Sequence, residues 1–84
     1  DILVLYNKGI ALSCLGKYDE AREAFDIVLS IKPDSIEVLN AKGVNLYNQG
    51  KFEDALKMYD KALELQPNHS FILENRQRAL KRLN

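Results

Sequence analysis

Leu15-Gly16-Lys17-Tyr18-Asp19-Glu20-Ala21 and Gln49-Gly50-Lys51-Phe52-Glu53-Asp54-Ala55 are two copies of one corner, set 34 residues apart. In each, a glycine ends one helix, an aromatic fills the bend and two acids open the next helix. A glycine just past a helix takes the left-handed conformation without a Cβ clash. Acids in a first turn favour the positive end of the helix dipole. Pro33 and Pro67 recur at the same interval and close each unit. The corner therefore predicts repeated pairs of antiparallel helices.

Working outward, residues 2–35 slide onto 36–69 without a gap. Ile2/Ile36, Val4/Val38, Leu5/Leu39, Lys8/Lys42, Gly9/Gly43 and Leu12/Leu46 are identical. So are Gly16/Gly50, Lys17/Lys51, Ala21/Ala55, Asp26/Asp60, Leu29/Leu63 and Pro33/Pro67. Tyr18/Phe52, Phe25/Tyr59 and Ile31/Leu65 match in kind. Residues 70–84 begin a third copy, with Leu73, Ala79, Leu80 and Leu83 in the columns of Leu5, Ala11, Leu12 and Leu15.

Helical spacing of apolar residues predicts helices over 2–15, 18–31, 36–49, 52–65 and 70–82. Ala21, Phe25, Val28 and Leu29 form the inward stripe of the second helix. Ala55, Tyr59, Ala62 and Leu63 form that of the fourth. Gly9 and Gly43 each cost roughly 1 kcal/mol in a helix interior. Close approach of the partner helix at Ala21 and Ala55 is the expected compensation. Asp34 with Glu37 resembles a capping box for the third helix, and Asn68 or Ser70 is the expected N-cap of the fifth. Gln77 occupies the glycine column and the surrounding surface is basic, which suits a terminal cap with one face for water.

The whole chain, 1–84, is expected to be one domain: repeat 1 at 2–35, repeat 2 at 36–69 and a capping helix at 70–84. At 84 residues, 46% hydrophobic and 29% charged, it has a globular rather than a disordered composition. No apolar run approaches the ~20 residues that span a bilayer, and no signal peptide is visible. The chain starts abruptly in Ile2-Leu3-Val4-Leu5, as an excised piece would. A lone Cys14 makes no internal disulfide and points to a reducing, cytoplasmic setting. Net charge is zero overall, with 8 Lys/Arg against 11 Asp/Glu over residues 1–69 and four bases against Glu74 beyond. That balance gives nucleic acid no general attraction. The run Arg76, Arg78, Lys81 and Arg82 lacks interleaved aromatics and is expected to be a solvated face.

These residues resemble the tetratricopeptide repeat, a helix–turn–helix unit of 34 residues. Its pattern falls on Leu5, Lys8, Gly9, Leu12, Gly16, Ala21, Phe25, Val28 and Pro33. The second copy falls on Leu39, Lys42, Gly43, Leu46, Gly50, Ala55, Tyr59, Ala62 and Pro67. Lys8 and Lys42 depart from a buried Leu, so their stems should lie along the helix pair with the amines in water. Val28 departs from a small Ala, a change expected to loosen the join to the next unit. The resemblance implies an all-α, right-handed α-solenoid of two full repeats plus a C-terminal capping helix.

The same resemblance implies a protein-interaction scaffold whose odd-numbered helices line a concave peptide groove. The groove residues it implies are Tyr6, Asn7, Ile10, Asn40, Val44, Tyr47, Asn48, Phe71 and Arg78, with Leu3, Cys14, Ala41, Glu74 and Asn75 beside them. Asn amides suit an extended backbone, and Tyr offers a rigid apolar body with a polar tip. The carboxylate clamp of some relatives would fall on Tyr6, Ile10, Ala41, Phe71 and Asn75, of which only Asn75 is strongly polar. That argues against chaperone-tail binding. Two alternatives stand beside a peptide groove: a self-associating unit of a longer array, or a substrate-positioning region of a larger enzyme.

No catalytic set, metal cluster, phosphate loop or cofactor motif is visible, so neither an enzyme nor a cofactor is expected. His69, the one histidine, is expected to be a solvated turn residue. Asn68-His69-Ser70 matches a glycosylation sequon by chance. Leu3, Tyr6 and Ile10 form a stripe that no later element obviously covers. Self-association through that first end, giving a homo-oligomer, is therefore expected as well. Membrane binding is not.

Overall fold

The computed structural model describes residues 1–84. Five helices follow in order: α1 Ile2–Cys14, α2 Tyr18–Ile31, α3 Ile36–Asn48, α4 Phe52–Leu65 and α5 Ser70–Leu83. None is long and apolar enough to cross a membrane. The corners form as the sequence requires. Gly16 has φ +79° and Gly50 φ +84°, the only positive values in the chain. Lys17 N–H donates to the Leu12 carbonyl at 2.9 Å and Gly16 N–H to that of Ser13 at 3.0 Å. Lys51 to Leu46 and Gly50 to Tyr47 repeat the two bonds at the same lengths. This double closure satisfies carbonyls that the helix end would leave orphaned.

The opposite corners are built on proline. Lys32 and Gln66, each just before a proline, leave the helical region at φ −136° and −145°, because the proline ring clashes with a helical predecessor. Ser35 N–H then donates to the Lys32 carbonyl and His69 N–H to that of Gln66, both at 3.3 Å. The N-caps differ from expectation. Ser35, not Asp34, caps α3, its hydroxyl accepting from Val38 N–H at 3.4 Å. His69, not Asn68 or Ser70, caps α5, its Nδ1 accepting from Ile72 N–H at 3.3 Å. His69 is thus half-buried and structural rather than a free turn residue. A cap must place its acceptor over the N–H two or three residues on, and only this column does so. Asp1 fills it for α1, accepting from Leu3 N–H at 3.1 Å.

Each helix packs on its sequence neighbours, α1 also touches α3, and α3 also touches α5; α2 and α4 do not meet. The stack therefore closes on the side of α1, α3 and α5 and splays on the other. One core cluster joins Leu39, Leu46, Ala55, Tyr59, Ala62, Ile72 and Ala79; a second joins Ala21, Phe25, Val28 and Val38. Val28 is fully buried against Val38 and seals the join it was expected to loosen. α1 contributes Gly9 as its single buried residue.

The glycines do make room, but for a ring rather than for Ala21 or Ala55. A Cβ on Gly9 would stand 2.5 Å from Phe25 Cε1, and one on Gly43 would stand 2.8 Å from Tyr59 Cδ1. Normal carbon contacts are about 3.5–4.0 Å, so any side chain there collides. Each glycine lets an aromatic of the paired helix slide beneath the backbone, where burial of such a side chain is worth ~1.5–3 kcal/mol.

Between repeats, ion pairs follow the same period. Lys42 Nζ lies 2.7 Å from Asp26 Oδ1, and Arg76 Nε lies 2.6 Å from Asp60 Oδ1. Lys42 thus keeps its stem against the helices and its amine on a partner. Lys8, in the same column, is exposed. Asn45 adds a third tie: its Nδ2 donates to the Tyr18 carbonyl at 3.0 Å, while its buried Oδ1 has no partner.

Candidate functional site

The face formed by α1, α3 and α5 carries two adjoining depressions. The larger, about 200 Å³, opens between α1 and α3, with Tyr6, Ile10 and Cys14 on one wall and Asn40, Ala41, Val44 and Asn48 on the other. Phe25, reaching under Gly9, forms part of its floor. Tyr6 leans on that ring at a centroid distance of 6.5 Å and an interplanar angle of 51°. Helical spacing places Tyr6, Ile10 and Cys14 on one side of α1, and Asn40, Val44 and Asn48 on one side of α3. No lining residue is charged, so the site can hold an apolar side chain and offer amides at its rim.

The smaller depression, about 110 Å³, lies between α3 and α5. Val44 and Asn48 wall both. Tyr47, Asn75, Arg78 and Tyr59 complete it. Tyr59 repeats beneath Gly43 what Phe25 does beneath Gly9, and burial pushes its phenol up to about 12. The nearby Tyr47 adds to that rise and Arg78 opposes it. Arg78 is held by Glu74 at 3.2 Å one turn away, which spreads its charge along α5. Asn75 Nδ2 donates to Asn40 Oδ1 at 3.0 Å and links the two depressions.

Of the groove residues expected from sequence, Tyr6, Ile10, Asn40, Val44, Tyr47, Asn48 and Arg78 line these depressions. Asn7 and Phe71 line neither; both are exposed, Phe71 at 61%. Phe25 and Tyr59, inward core residues of α2 and α4 by their spacing, also line the depressions. The signal for them was the conjunction of Gly9 with Phe25 and of Gly43 with Tyr59, one missing side chain matched to one large ring. The stripe Leu3, Tyr6 and Ile10 also divides: Tyr6 and Ile10 are groove wall, while Leu3 stands clear at 62% exposure.

Stacked helix pairs with glycine corners, a periodic inter-repeat ion pair and a groove on the odd helices define an α-helical repeat scaffold. The family follows directly: the sequence profile of the tetratricopeptide repeat matches residues 2–35 and 36–69, and the chain belongs to that family. No curated protein sequence matches it significantly. Among solved structures, MamA AMB-1 superposes with a TM-score of 0.85 at 25% identity, over 99% of this chain and 49% of that one. MamA MSR-1 does so with 0.85 at 26%, over 99% and 48%. The first TPR of Spaghetti (RPAP3) bound to the HSP90 peptide SRMEEVD gives 0.91 at 24%, over 98% and 67%, a likeness of fold. The chain spans about half the length of these MamA chains.

Proposed function

We propose that the chain is a protein-interaction scaffold whose groove holds an extended segment of a partner, anchored by an apolar side chain between Tyr6, Ile10 and Val44. The observation that carries this is the uncharged depression of about 200 Å³ between α1 and α3, rimmed by the amides of Asn40 and Asn48. Apolar pockets with a few placed polar groups are the usual form of a recognition site. The RPAP3 structure contains an acidic HSP90 peptide; here the nearest groove cation, Arg78, is engaged by Glu74, so a neutral, apolar anchor fits better. Selection from phage-displayed random dodecapeptides tests this. Peptides sharing a large aliphatic residue should emerge, and Ile10→Glu should abolish their retention while the melting curve holds. Selected peptides that still bind the Ile10→Glu variant would place recognition elsewhere.

A second role, association with another copy of this chain, rests on the face of repeat 1 opposite α3. A depression of about 350 Å³ there is lined by Leu5, Lys8, Leu12, Glu20, Ala24 and Ile27, with Glu23 at its edge. Ile27 is 48% exposed. Lys8 presents there the cation that Lys42 and Arg76 spend on aspartates. In sedimentation at high concentration, Ile27→Glu should weaken association and Arg78→Ala should not. A monomer of 9.6 kDa at every concentration would reject this role.

A further inference from the structure

The smaller depression differs in kind from its neighbour, because polar groups on its floor and wall have hydrogen-bonding capacity to spare. Tyr59 is 1% exposed and Asn75 6% exposed. The Tyr59 hydroxyl makes no hydrogen bond within the chain, and the Asn75 carboxamide spends one bond, on Asn40. Neither the Tyr59 hydroxyl nor the Asn75 carbonyl is sealed in the core, where Asn45 Oδ1 is the one orphaned atom; both face the depression with bonding capacity that a ligand can take up. Repeat 1 makes the contrast internal. Phe25 occupies the same place beneath Gly9, has no hydroxyl, and floors a wholly uncharged pocket.

The chemistry of what would fit follows from the inventory. Asn75 retains a carbonyl acceptor, and Tyr59 and Tyr47 each bring a hydroxyl that both donates and accepts. Asn48 adds a second amide at the wall. A carboxylate would meet the Asn75 carbonyl and find Arg78 already paired with Glu74. An ammonium would meet Arg78. A group that is neutral, planar, and both donor and acceptor satisfies every wall.

We propose that the Tyr59–Asn75 pocket binds the side-chain carboxamide of a glutamine or asparagine in the partner segment. The pocket is small, about 110 Å³, and floored from beneath by Tyr59, so a terminal group enters end-on where a continuous backbone would have to thread across. This specificity rests on the groove function proposed above. It adds a second determinant, beside the aliphatic anchor and across the shared wall of Val44 and Asn48.

Two-dimensional NMR of the ¹⁵N-labelled chain tests it with four small probes. Propionamide mimics the side-chain carboxamide. Propionate and propylammonium are its charged counterparts, and N-methylacetamide mimics the backbone. Propionamide should produce saturable shifts of the Asn75 and Asn48 side-chain amides, with the tightest affinity of the four. Tyr59→Phe, which places in repeat 2 the ring that repeat 1 already carries, should weaken it by about threefold to tenfold, the value of one hydrogen bond. The assignment is overturned if propionamide gives no saturable shift, if propionate or propylammonium binds as tightly, or if Tyr59→Phe changes nothing. N-methylacetamide binding as well as propionamide would overturn the side-chain assignment. The peptide selection reads the other pocket through Ile10, so failure of one experiment does not decide the other.

Discussion

Replacing Gly43 by alanine puts a methyl where Tyr59 already lies. The new carbon would collide most closely with Tyr59 Cε1 and sit 2.8 Å from Cδ1, against about 3.5–4.0 Å for an ordinary contact, so the ring must retreat by more than ~1 Å. It has little space to do so, being 1% exposed and part of the cluster with Leu39, Leu46 and Ile72. Overpacking of this kind costs ~1–3 kcal/mol. Alanine's better helix propensity returns ~1 kcal/mol. The net expectation is a loss of up to ~2 kcal/mol. The cause is isolated by repeating Gly43→Ala in a Tyr59→Leu background, where no ring reaches the glycine. There the propensity gain should stand alone, leaving a coupling of ~2 kcal/mol between the two sites. Equilibrium urea unfolding of the four proteins measures it. Gly43→Ala stabilising the parent, or additivity within ~0.5 kcal/mol, would refute the account of the glycine as a ring slot.

Asn45→Asp buries a carboxylate opposite the Tyr18 carbonyl, replacing the donor that now bonds it at 3.0 Å, and should cost ~2–4 kcal/mol at neutral pH by the same urea assay. Asp26→Asn and Asp60→Asn each remove one inter-repeat ion pair of partly exposed groups; each should cost ~0.5–1 kcal/mol at low salt, and the difference from the parent should shrink near 1 M salt, where screening acts over ~3 Å. Tyr59 titrates near 10.0 when unfolded and about 12 when folded. Its contribution is therefore intact below pH 10 and is lost as pH rises from there through 12, because only the unfolded chain then releases the proton. Chemical denaturation across that range should show a smaller alkaline loss for Tyr59→Phe than for the parent.

The corners were legible because their physics is local. Gly16 and Gly50 need nothing beyond their own φ and two backbone bonds to end a helix, and the acids after them need only the helix dipole. The caps were not, because Asp1, Ser35 and His69 share a column and a function but no side-chain type. The resemblance singled out the residues that wall the depressions on α1 and α3, where Tyr6 and Ile10, and Asn40, Val44 and Asn48, recur at helical spacing. Asn7 and Phe71 line neither depression: Asn7 sits one step around α1 from Tyr6, and Phe71 lies one turn before Asn75 on the same side of α5, beyond the wall. Phe25 and Tyr59 read as interchangeable core aromatics, since a hydroxyl leaves the apolar pattern untouched. Asn45 was hidden for the opposite reason: it stands between Ala11 and Ala79 in its column, and its bond to Tyr18 joins residues far apart in sequence.

Because α1 is a terminal helix and buries only Gly9 completely, it should open more readily than the central helices, and amide exchange should be faster there than in α3 and α4. Stability in such chains is graded by segment, and here the grade runs through the larger pocket. Tyr6, Ile10 and Cys14 form its wall only while α1 is docked. A ligand for that pocket would bind the fraction of molecules with α1 in place, so its apparent affinity scales with that fraction. Anything that secures α1, including a neighbour against the Lys8 face, would then tighten binding on the opposite side of the helix without touching the ligand.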